Sequence, residues 1–217
     1  KISIAVVVLV FLASAFFTNG ELVKFLSRDL PLYTYNNDPG VIYKTYLLIE
    51  ADFNYYDAYK TAQLARFEQP IIPGDIWGWR LPTIFLIWKM LPGTGGLAVY
   101  YFFLVLAALA LFCAYKIGSK YLGEKLGLLS AYLVFPYFHF AARDQMFLET
   151  EWWAVIFFIF GVFLLVRRAD FWAILLFSLT VLVREVYILP LGLMLTWSLW
   201  KKREAVGHPC LEKDFAQ

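Results

Sequence analysis

Six stretches almost free of charge constrain this chain more than any other feature: residues 2–20, 90–115, 126–142, 152–166, 171–183 and 186–200. A helix needs about 20 apolar residues to cross the hydrocarbon core of a bilayer. The first three runs meet that need unaided, the second with its spanning part starting near Leu97. The last three hold 15, 13 and 15 uncharged residues. Each has to borrow polar flanks, and Arg167, Arg168 and Arg184 have stems long enough to carry their charge to an interface. The alternative for residues 171–200 is a hairpin buried within the protein.

Composition points the same way. The 217 residues are 61% hydrophobic, 20% aromatic and 17% charged, against roughly 45–50% apolar and about 25% charged in ordinary soluble chains. A core of this length has no use for 21 Phe, 14 Tyr and 8 Trp, so part of that surface faces something other than water. Intrinsic disorder is excluded, and two cysteines do not make a disulfide-stapled secreted domain. Cys113 falls inside an apolar run and Cys210 in the tail, so no disulfide is expected. The net charge of +2, with no dense basic patch away from the ends of the apolar runs, argues against nucleic acid as a partner. The expected fold class is all-α: a polytopic membrane helical bundle of about six transmembrane helices. As one membrane domain over 1–217, it has a first span at 2–20, an outer loop at 21–96 carrying juxtamembrane amphipathic helices, five further spans over 97–203 and a tail at 204–217.

Basic residues in short loops set the expected orientation. Lys116, Lys120 and Lys125 follow the second run, Arg167 and Arg168 the fourth, and Lys201, Lys202 and Arg203 the sixth. These sites alternate, which places both termini in the cytoplasm and the loops at 21–96, 143–151 and 184–185 outside. The chain starts with Lys rather than Met, so residues preceding it are expected. Residues 2–20 read as a membrane helix rather than a signal peptide, because the apolar region exceeds the usual ~7–15 residues.

The long segment 21–96 is where chemistry is expected, since connections of that size are usually functional. Pro31 and residues 36–40 read as turns. From Asp52 to Phe67 the pattern is helical, with Asp52, Tyr55, Tyr56 and Tyr59 on one face and Asp57 rotated away. Pro70, Pro73 and Gly74 end that helix, Trp77, Trp79 and Arg80 bring interfacial groups, and residues 81–91 form a short helix closed by Pro92 and Gly93.

Three places put ionisable groups at the outer boundary. Asp52 is either a helix N-cap accepting from the amides of Asn54 or Tyr55, or an ionised general base able to take a proton from an acceptor. Arg143 either snorkels and pairs with Asp144, or binds a phosphate with its planar guanidinium. Arg184 and Glu185 read as a self-satisfied ion pair or as part of a site. Glu149 and Glu151 form a weaker group, and His139 reads as an interfacial histidine rather than a ligand. Two histidines leave little material for a zinc site or a triad. Gly93–Gly96 lacks the lysine and hydroxyl of a nucleotide cradle.

On "ADFNYYDAY", the turn and run "KIGSKYLGEKLGLLSAYLVFPYF", "AARDQMFLE" and "LTVLVREVYILPLGLML", the chain resembles the GT-C superfamily. These are integral membrane glycosyltransferases using polyprenyl-phosphate-linked sugars, among them the protein mannosyltransferase and aminoarabinose transferase group. The resemblance implies the N-terminal membrane module of such an enzyme, in the cell membrane, multi-pass, with its active face extracytoplasmic. It implies sugar transfer from a polyprenyl-phosphate donor to a lipid, glycan or protein acceptor by a single inverting displacement. Asp52 would be the catalytic base, with Asp57 in reserve and Asp38 weaker. Arg143 and Arg184 would sit near the lipid phosphate, and Tyr55, Tyr56, Asp144, Glu185 and Arg80 would complete the substrate site. No metal and no cofactor are expected; membrane lipids and further membrane subunits are the expected partners. The chain departs from the family pattern where Phe53, rather than Glu, follows Asp52. The alternatives are a non-catalytic membrane scaffold or assembly protein, or a transporter subunit.

Overall fold

The computed structural model describes residues 3–18, 38–65, 81–92, 96–143 and 146–196, and every regular element among them is helical. The all-α class therefore holds for the described residues. They fall into two units, 1–184 and 185–217.

In the first unit, α1 (Ile4–Thr18) has neither glycine nor proline and buries Val7, Phe11 and Ala15, one helical stripe at four-residue spacing. Its other faces leave Leu9, Val10, Phe16 and Phe17 exposed. The next helix, α2 (Asp38–Glu50), starts where Asp38 meets the positive end of the helix dipole and Pro39 fills a first-turn position with no amide to lose. It buries Val41, Ile42, Tyr43, Tyr46 and Ile49.

A Schellman turn ends α2. The amide of Phe53 donates to the Leu48 carbonyl (3.0 Å) and that of Asp52 to Ile49 (3.1 Å), which places Asp52 at the left-handed position with φ 64°. Asn54 then caps α3 (Tyr55–Leu64), its side-chain oxygen accepting from the Asp57 amide at 3.0 Å. Tyr59 and Ala62 of α3 pack on Val41 of α2, with Tyr55 alongside. The short α4 (Thr83–Lys89) buries Ile84, Phe85 and Trp88 on one face.

Continuous helix runs over α5 (Gly96–Ala141), but Gly123 lies at φ 79°, ψ 164° and breaks it into two limbs, 96–122 and 124–141. Only glycine adopts that backbone readily. The limbs run antiparallel: Tyr100 Oη reaches the Ala142 carbonyl at 3.4 Å, and the Phe103 and Phe138 rings meet at 6.5 Å. Near the turn the backbones approach so closely that a Cβ on Gly127 would lie 2.6 Å from the Ser119 nitrogen and 2.7 Å from its Cα. After a 3-10 turn at Met146–Leu148, α6 (Thr150–Val166) and α7 (Asp170–Val183) form a second helical hairpin. A second Schellman turn joins them, Ala169 donating to Leu164 (2.9 Å) and Arg168 to Leu165 (3.0 Å), with Arg168 at φ 62°. A buried aromatic layer ties the unit together. Trp88 meets Tyr46, Phe85 and Trp153 at 5.5–5.7 Å, and Trp153 meets Phe103 at 5.4 Å.

In the second unit, a 3-10 turn at Glu185–Tyr187 leads into helix over 188–196, where Thr196 Oγ1 donates to the Leu193 carbonyl at 2.9 Å.

The expected six-span polytopic bundle is corrected by these lengths. Among the described residues one helical element, Gly96–Ala141, is long and apolar enough to cross a membrane; Ile4–Phe17, Thr150–Val166, Asp170–Val183 and Glu185–Thr196 are apolar but of 10–17 residues. At about 1.5 Å per residue, a 14-residue helix such as α7 is roughly 21 Å long against a ~30 Å core. The runs at 152–166 and 171–183 become helices of 17 and 14 residues, and borrowing polar flanks does not carry them to the roughly 20 that a crossing needs. Loop orientation, multi-pass localisation and an extracytoplasmic face all rested on six crossings and fall with them.

Candidate functional site

The loop candidates gather at the corner formed by α2, α3 and α4. Asp52 occupies the left-handed position after α2, not an N-cap; that role belongs to Asn54. Its carboxylate accepts from Lys89 Nζ at 3.0 Å, and both side chains are exposed. Asp57 stands in the first turn of α3, where its amide and carboxylate both bond Asn54. Tyr55 stacks between Tyr59 (5.9 Å) and Phe85 of α4 (5.4 Å), with Tyr56 edge-on at 5.1 Å and itself exposed. Sequence periodicity put Asp52 on one helical face with these tyrosines. The structure keeps the tyrosines on α3 and removes Asp52 to the preceding turn.

The basic candidates are placed differently from expectation. Arg184 pairs through Nη2 with Glu151 Oε1 at 2.7 Å, a half-buried bond that ties the end of α7 to the start of α6. Its expected partner Glu185 opens the second unit. Arg143 is exposed in the turn after α5, its carbonyl accepting from the Met146 amide at 3.3 Å. Asp144 and Arg80 lie outside the described residues, as do the expected turn at Pro31 and the tail at 204–217.

Two polar contacts were not anticipated. Tyr46 is buried, and its hydroxyl donates to Glu50 Oε1 at 2.6 Å, one helical turn on. Burial, reinforced by the neighbouring carboxylate, pushes the Tyr46 phenol well above its ordinary range. The four-residue spacing of Tyr46 and Glu50 was the signal for that pair. His139 Nδ1 lies 3.0 Å from Ser14 Oγ and its ring stacks on Phe135 at 5.9 Å, joining α1 to the second limb of α5. Ser14 also donates to the Phe11 carbonyl at 3.0 Å, so Nδ1 is assigned here as the donor to Ser14. Nothing in the sequence spacing signalled a contact between residues so far apart.

One groove open to a ligand among the described residues is wholly apolar. Ile4, Ala5, Val8 and Leu12 of α1 face Val105, Ala108, Leu109 and Phe112 of α5 across an open groove of about 420 Å³ with no polar side chain in its lining. Among the described residues there is no group of three or more His, Cys, Asp or Glu placed to hold a metal ion.

No family model, curated protein or solved structure matches this chain. The resemblance to GT-C glycosyltransferases, loose in its motifs, therefore finds no support in family or fold. Helix lengths short of a polytopic bundle remove the frame on which it depended. The assignment as a membrane glycosyltransferase, and with it the enzymatic reading and its scaffold and transporter alternatives, is corrected accordingly.

Proposed function

We propose that the chain binds lipid through its acyl chains, with the groove between α1 and the first limb of α5 as the seat. The groove's lining carries this reading: eight apolar side chains and no hydrogen-bonding group. Such a surface has nothing to offer a sugar, a nucleotide or an ion, and gains only by covering hydrocarbon. Its volume falls within the ~300–1,000 Å³ typical of small-molecule sites. The exposed apolar side chains continue beyond the groove, over Leu9, Val10, Phe16 and Phe17 on α1 and over Leu129, Leu133 and Phe140 on the second limb of α5. Exposed apolar surface in this amount marks a binding face rather than the scattered single residues of an ordinary surface.

The test is uptake of a fatty acid bearing a polarity-sensitive fluorophore by the full chain, beside Ala108→Trp, which fills the groove without adding charge. Wild type is expected to take up the probe saturably, and Ala108→Trp to weaken binding at least about tenfold, the loss of one to two kcal/mol of apolar burial. Equal binding by the two proteins, or no uptake by wild type, overturns the proposal.

A further inference from the structure

A second surface lies where the turn of the α5 hairpin meets the turn between α6 and α7. Lys120, on the first limb, donates from Nζ to the Val166 carbonyl at 2.7 Å and so holds the two turns together. Around that contact stand Lys116, one helical turn before Lys120, Lys125 just beyond Gly123, and Arg167 and Arg168 at the end of α6, all exposed. Two carboxylates, Glu124 and Asp170, share these turns, leaving the cations in excess. The basic stems lie over aromatic rings, with Lys116 Nζ 5.4 Å from the Phe112 ring, Lys120 Nζ 5.9 Å from Tyr121 and Arg167 Cζ 5.3 Å from Phe163. The charges are thus presented above apolar bodies. Tyr121, Phe171 and Trp172 beside them are each more than half exposed.

We infer that this corner is a docking surface for a bilayer rich in anionic phospholipid, its cations meeting the headgroup phosphates while Tyr121, Phe171 and Trp172 enter the interfacial layer. The inference rests on the acyl-binding reading above and names the headgroup class that goes with it. Charge complementarity selects the occupant. Basic residues close to an anionic membrane surface each strengthen attachment about fivefold, and the effect fades beyond a Debye length. Exposed aromatic rings beside the cations favour an interface over free phosphate, which gives a ring nothing to enter.

The experiment measures binding of the full chain to vesicles of pure phosphatidylcholine and to vesicles with one-fifth phosphatidylserine, at low and at high salt. Wild type is expected to bind both, the anionic vesicles at least about tenfold tighter, with the difference collapsing at high salt. The double variant Lys125→Gln/Arg168→Asn leaves the Lys120 contact in place and keeps a residue tolerant of the left-handed conformation at 168. It should lose most of the anionic preference while binding neutral vesicles as wild type does. Lys60→Gln/Lys89→Gln removes the same charge from α3 and α4 and should keep the preference. Equal binding of both vesicles by wild type overturns the inference while sparing the acyl reading, whereas binding to neither removes both. A preference lost equally in the two doubles reduces it to overall charge and overturns it. So does a preference abolished by inorganic phosphate but not by sodium chloride of matched ionic strength.

Discussion

At the scale of single residues, the two positions with non-glycine positive φ among the described residues are the most informative. Asp52 and Arg168 each close a helix at the site of a Schellman turn that glycine usually fills. A side chain in that conformation costs about 1 kcal/mol, less for Asp and Asn, whose short polar groups suit it. Asp52→Gly should therefore stabilise the chain by up to about 1 kcal/mol, since the exposed pair with Lys89 that it removes contributes little. Asp52→Val should destabilise by about 1–2 kcal/mol because a β-branched side chain fits that region worst. Denaturant unfolding followed by helical circular dichroism reads both; a stable Val variant would mean that the turn relaxes. The sequence could not show this. An Asp ahead of a helical pattern is the usual sign of an N-cap, and the end of α2 was invisible because Asp38, Pro39 and Gly40 read as a turn rather than a helix start. Arg184 was obscured differently: Glu185 beside it made the obvious partner, and only the folding of α7 back along α6 brings Glu151 within 2.7 Å.

At the scale of elements, the apolar runs were legible and their ends largely so. The runs at 152–166 and 171–183 appear as Thr150–Val166 and Asp170–Val183, and the short helix read within 81–91 appears as Thr83–Lys89. Periodicity and charge boundaries suffice for this, because a buried helix has to place apolar groups wherever it touches its neighbours. Length against a bilayer was not legible, since the same run serves a packed helix or a spanning one. The hairpin in α5 was legible as two runs parted by lysines, but its closeness was not. Gly118 and Gly127 approach the opposite limb at Ser130 and Ser119. At Gly127 the obstructing atoms include the Ser119 backbone nitrogen and Cα beside its Oγ, so no rotamer change alone relieves an added methyl. Gly127→Ala should destabilise by about 1–3 kcal/mol, the usual range for overpacking. At Gly123 a Cβ meets open space, and only the backbone at φ 79°, ψ 164°, a region nearly reserved for glycine, opposes it, so Gly123→Ala should cost about 1–3 kcal/mol. Unfolding curves read both; an unchanged midpoint for Gly127→Ala would mean that the limbs part to admit the methyl, and one for Gly123→Ala that the turn relaxes.

At the scale of the whole molecule, excess aromatic and aliphatic surface is what composition foretold and what the described helices display. Phe17 and Leu133 are each more than 70% exposed, on elements whose opposite faces are fully buried or nearly so. A chain that needed this surface only for its own core would have turned it inward; Trp88, Trp153, Phe103 and Phe147 already fill that core. The unspent apolar area therefore has a thermodynamic signature if lipid is its partner. Covering hydrocarbon lowers heat capacity by about 0.45 cal/K/mol for each Å² of apolar surface removed from water. An acyl chain that brings a few hundred Å² out of water should bind with a ΔCp on the order of −0.1 kcal/mol/K. Titration calorimetry with a ten-carbon fatty acid below its aggregation threshold, repeated at several temperatures, measures this directly. The slope of enthalpy against temperature should be negative for wild type and shallower for Ala108→Trp, whose groove is already filled. A slope near zero with saturable binding would mean that the fatty acid is held by its carboxylate at a basic position such as Lys120 or Arg143, and that the groove is not the seat.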